Sequence, residues 1–311
     1  MADRLHLVDK PESWTSHDAV ARMRRILGER RVGHAGTLDP FATGLLLVAE
    51  GRATALLGAL GLLPKRYRAT VRLGVATDTQ DRTGTPLPRA SAAFPSVAAV
   101  DEALPAFRGA LLQTPPLYSA VKVEGERLYK KARRGEDVER VARPIHVYAL
   151  ERVAADLPDV TLDLTVSRGT YVRTLAHDLG ERLGCGAHLA ALRRTAIGPF
   201  TVEGAGSPAR DGGWDEAAFR ARERTPAEAV SFLPRVRLTP EESARLRHGA
   251  PPSIGADRIE RVEEPGPLPP GATGWPIALL DGAGTLLALA HPWDEQTPGL
   301  PLRLQRVLVG D

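Results

Sequence analysis

Between residues 160 and 183 the apolar period changes, and that change limits the folds open to the chain. Val160, Leu162, Leu164 and Val166 alternate with Thr161, Asp163 and Thr165, the two-residue period of a strand with one buried face. After Gly169 the spacing lengthens, and Val172, Leu175, Leu179 and Leu183 fall on one side of a helix. The chain therefore mixes strand and helix. Tyr171 and Arg173 stand at the strand-to-helix junction, where side chains reach a site while the backbone stays anchored.

A second segment constrains chemistry more than fold. Residues 33–47 read Gly-His-Ala-Gly-Thr-Leu-Asp-Pro-Phe-Ala-Thr-Gly-Leu-Leu-Leu. Gly33 and Gly36 precede Asp39 and predict either φ > 0 or a close backbone approach. Pro40 biases Asp39 toward an extended conformation, and Leu45-Leu46-Leu47-Val48-Ala49 suits a buried strand. On spacing alone Asp39 is either a chemical group on a rigid loop or a helix cap with Pro40 at the first helical position.

The other elements follow from pattern and punctuation. Leu5–Val8 reads as a strand, and a helix runs from Ser16, its expected cap, to Leu27 with Val20, Met23 and Leu27 on one face. A short helix is predicted around Arg52–Leu60, a strand over Ala69–Leu73 beginning just after Tyr67, and a loop over 83–96. Helix is predicted from Val97 to Phe107, and Pro115-Pro116 opens an insertion. Residues His188–Arg194 read as a second short helix before a strand at Phe200–Val202. The glycines and proline of 204–216 mark a linker. Beyond it come a capped helix from Thr239 to Gly249, a hairpin around Asp281–Gly284 and a last strand over Leu302–Val309.

At 311 residues the chain has room for two domains, or for one large domain with an appendage. Its longest apolar runs are too short to span a bilayer, and no signal segment opens it. The single cysteine, Cys185, excludes an internal disulfide and a multi-cysteine zinc site. Together these give the cytoplasm as the expected compartment. The net charge of +3 hides two basic runs. Arg22, Arg24, Arg25, Arg30 and Arg31 face one nearby acid, Glu29, and residues 127–143 carry seven Lys or Arg against three acids. Two such runs, the second beside Tyr118 and Tyr129, favour a phosphate backbone as partner.

The Asp39 segment resembles the catalytic motif of the TruB-type tRNA pseudouridine synthases. Lys10-Pro11, Arg66-Tyr67-Arg68, Tyr118-Ser119-Ala120-Val121-Lys122 and Ser167-Arg168-Gly169-Thr170-Tyr171-Val172-Arg173 follow in the family's order. The resemblance covers roughly residues 4–203. It implies an α+β pseudouridine synthase fold, a mostly antiparallel mixed sheet flanked by helices over 1–203, with the basic insertion at about 115–143. A linker and connecting helix at 204–235 and a small β-rich, PUA-like RNA-binding domain at 236–311 complete the implied organisation.

The resemblance makes Asp39 the catalytic carboxylate and Arg173 its paired cation. It further assigns Tyr67, Tyr171 and Leu192 to the pocket of a flipped uracil, and His34 to holding the RNA loop open. The implied partner is tRNA, at uridine 55 of the T-loop, with no obligatory protein partner, no membrane and a monomeric enzyme. Pseudouridine formation needs neither redox nor phosphoryl transfer, so no cofactor or metal is expected, and the chain has no Walker loop or dinucleotide fingerprint. Asp78 and Asp81 read as turn residues that bond their own backbone. The chain departs from the family at Ser13, where glycine is common, and at Arg168, where lysine is usual. Two rivals are a non-catalytic RNA-binding protein of the same fold and a glycoside hydrolase, which would need a second pocket acid.

Overall fold

The structure, a computed structural model, describes residues 3–88, 94–119, 122–123, 126–127, 134, 136, 138–208, 216–262, 266–292 and 302–308. The chain forms two compact units, residues 1–64 with 196–311, and residues 65–195.

The first unit opens with β1 (Arg4–Lys10), α1 (Ser16–Leu27), β2 (Val32–Ala35) and β3 (Thr43–Glu50). A 3-10 turn, Gly51–Leu56, leads into α2 (Leu57–Leu62). Over Leu47–Glu50, β3 lies between antiparallel partners, β1 and β2. That position explains why its apolar run is continuous rather than alternating. Helix α1 packs Ala19, Val20 and Met23 on Val8, Val32, Leu46 and Val48. Its cap is Thr15, not Ser16. Thr15 Oγ1 accepts the Asp18 N–H while the Asp18 carboxylate accepts the Thr15 N–H, a reciprocal box that leaves Ser16 free to turn inward.

The second unit starts with β4 (Lys65–Leu73), longer than the alternation from Ala69 suggests, so Tyr67 lies within the strand. Helix α3 (Val97–Ala103) tightens into a 3-10 turn, Leu104–Phe107, and β5 (Gly109–Gln113) follows. A minimal hairpin, β6 (Lys122–Val123) and β7 (Glu126–Arg127), precedes β8 (Arg143–Asp156), β9 (Asp159–Val166), α4 (Val172–Arg182) and β10 (Ala187–Ile197). The antiparallel order β4-β9-β8-β5 makes the unit's sheet. One face packs Ala69, Val71, Leu150, Leu162 and Leu164 around a small apolar cavity shared with Val172, Leu175 and Leu179 of α4. On β4 and β9, Arg68 and Arg72 make two-pronged pairs with Asp163 and Asp159.

His188–Arg194 is strand, not helix. Leu192, Arg194 and Ala196 are buried while Arg193 and Thr195 are half-exposed, a two-residue period that tertiary pairing imposes on helix-favouring residues. β8 escaped the sequence because bulges at Val147/Ala149 and Arg152/Ala154 break its alternation.

The chain returns to the first unit as the end of β10 pairs with β11 (Phe200–Thr201). Helices α5 (Glu216–Arg220), α6 (Pro226–Ala229) and α7 (Pro240–Arg247) follow. The last sheet has the order β12 (Arg235–Arg237), β13 (Ile277–Leu280), β14 (Leu286–Pro292) and β15 (Leu302–Val307), parallel only at β12–β13. Leu246 of α7 joins Val236, Ile277 and Leu287 in one core. Leu280, Leu289 and Leu308 pack with Leu56, Leu60, Phe232 and Trp275 in another.

Gly180 of α4 is set by packing rather than by helix preference. A Cβ there would lie 2.1 Å from the Ala187 nitrogen and 2.4 Å from the Gly186 carbonyl carbon, both backbone atoms. Alanine is the better helix former by about 1 kcal/mol. The overlap outweighs this, and Gly180→Ala is expected to destabilise the protein by about 2 kcal/mol or more. Urea unfolding checks it; an unchanged or raised midpoint would show that helix and chain separate freely.

Candidate active site

The Asp39 loop connects β2 to β3 and is fixed on both sides of the carboxylate. Leu38, Phe41 and Ala42 are buried, whereas Asp39 is half-exposed. Ser16 Oγ accepts the Leu38 N–H at 2.8 Å and donates to Leu38 O at 3.3 Å. Pro40 O accepts from the Ser13 N–H at 2.9 Å and from Lys10 Nζ at 3.3 Å. The Ala42 N–H then closes a tight turn on Asp39 O, and β3 begins at Thr43. No helix follows, which removes the capping alternative for Asp39. Gly36 and Gly44 take φ of +89° and +104°, in the region that favours glycine. Gly33 is instead a close approach, because a Cβ would lie 2.8 Å from Leu57 Cδ1.

Lys10 and Ser13 form the back of this loop. The Lys10 ammonium is fully buried and donates to Pro11 O at 2.9 Å and Trp14 O at 2.6 Å as well as to Pro40 O. Ser13 holds φ at +67°. The turn keeps the left-handed conformation that a glycine would adopt without strain, although the residue is serine. His34 lies in β2 opposite Val48, half-buried.

In the second unit Arg173 is 4% exposed and therefore not a surface residue. Its Nη1 donates to Thr79 O at 3.1 Å and its Nη2 to Tyr118 O at 3.0 Å. Asp81 Oδ2 lies 3.4 Å from Nη1. Asp81, itself buried, also accepts from Thr79 Oγ1, the Thr83 N–H and Thr83 Oγ1. It is thus the turn residue its sequence suggests and also a partner of Arg173, a second role that spacing alone does not signal. Tyr171, half-buried, is the N-cap residue of α4, and its backbone bonds twice to the Gln113 side chain.

Tyr67 pairs with Leu164 in β4–β9, half-buried, and the Arg194 guanidinium stands 6.0 Å from its ring centre. Leu192 and Arg194 are both buried in β10. Burial, followed by the positive charges of Arg194 and Arg168, pushes Lys65 down to about 7. Lys65 and Arg194 had no distinguishing sequence signal.

Only the second basic run shows acid partners among the side-chain bonds of its described arginines. Arg134 bonds Glu126 and Glu136, and Arg24 donates to Val32 O. Lys130, Lys131 and Arg133 of the insertion lie outside the described residues, as do Tyr129, Ala120, Val121 and part of the 204–216 linker. Among the described residues no three His, Cys, Asp or Glu side chains gather as metal ligands. No described helix is long and apolar enough to cross a membrane.

Residues 24–172 match the model of the TruB family pseudouridylate synthase N-terminal domain. Residues 173–206 match that of the tRNA pseudouridylate synthase B C-terminal domain. The chain is 46% identical to tRNA pseudouridine synthase B of Thermobifida fusca, across 94% of this chain and 95% of the relative. With that of Geobacter sulfurreducens it shares 47% identity over 98% and 99%. A chain in the crystal structure of a Cbf5-Nop10-Gar1 complex superposes with a TM-score of 0.72 at 29% identity, covering 99% of this chain and 85% of that one. A chain of an H/ACA RNP bound to a substrate RNA containing 2'-deoxyuridine gives 0.71 at 26%, covering 98% and 85%. The sheet and helices are those of the pseudouridine synthase fold, and by matches that run nearly end to end the chain belongs to the TruB family of pseudouridylate synthases.

Proposed function

We propose that the protein is a tRNA pseudouridine synthase that isomerises uridine 55 of the T-loop. The observation that carries this is the near end-to-end similarity to curated tRNA pseudouridine synthases B. The reaction breaks the N1–C1′ bond, turns the uracil and rejoins it through C5, so it consumes no oxidant and transfers no phosphoryl group. It needs an ionised carboxylate held at a defined point to act as nucleophile or base. Asp39 fills that role, and the bonds to Leu38 and Pro40 on either side support it by fixing the direction of its Cα–Cβ bond.

The target base leaves its stack to be reached. Tyr67 then offers an aromatic face to the uracil. Tyr171, Leu192 and Arg173 complete the uridine-binding set, and His34 holds the RNA loop in its opened form. Residues 236–311 act as a PUA-like RNA-binding domain behind the catalytic domain of 1–203. The enzyme acts as a monomer on tRNA in the cytoplasm and requires no protein partner and no cofactor.

Asp39→Asn is expected to abolish pseudouridine formation while tRNA affinity stays within about tenfold, because phosphate contacts dominate binding. Position-resolved mapping of pseudouridine in unmodified tRNA, with filter binding alongside, checks both. Turnover near the wild-type rate would remove Asp39 from the chemistry, and a non-catalytic RNA-binding protein would show no product even with Asp39 intact.

Arg173→Lys keeps the charge but cannot reach Thr79 O, Tyr118 O and Asp81 with one planar fork. Turnover is expected to fall by about 100-fold or more with little change in binding, since misplacement by about 1 Å carries that penalty. Single-turnover rates at saturating tRNA decide it. If affinity collapsed and the rate per bound tRNA held, Arg173 would be a phosphate contact.

A further inference from the structure

Gln113 belongs to neither set of residues named above as binding or reacting. It ends β5, is 4% exposed, and its amide grips Tyr171 at both backbone groups. The Tyr171 N–H donates to Gln113 Oε1 at 2.8 Å, and Gln113 Nε2 donates to Tyr171 O at 3.0 Å. A primary amide used in this way copies one rung of a β-ladder. Tyr171 gives α4 no side-chain cap, and its carbonyl also accepts the Leu175 N–H at 3.2 Å. Gln113 thus holds the peptide planes on both sides of Tyr171 where loop becomes helix. Five residues after Gln113, Tyr118 O accepts from Arg173 Nη2. The segment is tied to the 171–173 junction twice.

We infer that Gln113 is a positioning residue for the reaction: its amide sets the direction of the Tyr171 side chain and of the first turn of α4, which carries Arg173. The inference rests on the reading that Tyr171 and Arg173 bind the flipped uridine. Methionine or leucine would fill the same space, but only an amide presents a donor and an acceptor in one plane at the spacing of a backbone N–H and C=O. A residue kept for packing alone needs neither.

Two full-length variants test this with unmodified tRNA. Gln113→Met removes donor and acceptor at similar length. Gln113→Glu keeps the acceptor and recovers a donor only when protonated, which burial beside the Tyr171 carbonyl brings into an accessible pH range. Folding is verified by circular dichroism at each pH, and affinity by filter binding. The kcat at saturating tRNA is expected to fall about 10- to 100-fold in both variants near neutral pH, with the Kd for tRNA held within about threefold. Gln113→Glu alone should regain kcat as the pH is lowered to about 5.5, where a raised carboxyl takes up its proton.

The charged groups nearest in the fold are Arg143, opposite Gln113 across β5–β8, and Arg173, with His146 further along β8. Running wild type and Gln113→Met through the same pH steps removes pH effects that do not come from the introduced carboxyl. Unchanged kcat in folded Gln113→Met, a loss confined to tRNA affinity, or Gln113→Glu without acid rescue would each overturn the inference. Should Gln113→Met fail to fold, Gln113→Glu at the two pH values decides the question alone. Wild type that forms no pseudouridine would instead refute the functional reading.

Discussion

A fully buried ammonium, that of Lys10, is the fixed point on which the Asp39 loop depends. It collects the carbonyls of Pro11, Trp14 and Pro40, which come from the end of β1, the turn before α1 and the loop itself. An ammonium can donate three hydrogen bonds in different directions, which no neutral side chain of that length does. Of the three bonds the one to Trp14 O is fully buried, and that carbonyl left without its partner would cost about 1–3 kcal/mol. The Asp39 backbone is therefore held by a set of bonds behind it, and the residue itself is half-exposed.

The second unit uses a guanidinium in the same way but with different geometry. Arg173 spreads over Thr79 O, Tyr118 O and Asp81, so one planar group ties three segments of the unit. Burial separates this network from the Arg68–Asp163 and Arg72–Asp159 pairs on the sheet. Those pairs are well formed but exposed, and solvent screening leaves pairs of that kind little net stabilisation. The number of ion pairs says little here; the position of one says more.

Much of the fold was legible because its signals are local. The alternation of Val160 to Val166, the helical spacing after Gly169 and the bounds of α1 all survive in the structure. What failed was non-local. Ala187–Ile197 contains good helix formers, and only pairing with other strands makes it β10. β8 is concealed by its own bulges. At the candidate site, the glycine-framed Asp39 stood out in the sequence, and so did the junction of Tyr171 and Arg173. Their supports did not. Ser16 looked like a cap and Asp81 like a turn, and Gln113 carried no signal, since each acts on a partner far along the chain.

The contact at Gly180 has a mechanical meaning. Helix α4 touches the chain entering β10 backbone to backbone, with the Gly186 N–H also donating to Gly180 O at 2.9 Å. No side chain lies between them to flex or change rotamer. Arg173 at one end of α4 and Leu192 and Arg194 along β10 are thus carried on a single stiff joint. Those residues are therefore linked through main chain, with no rotamer between helix and strand to absorb a shift.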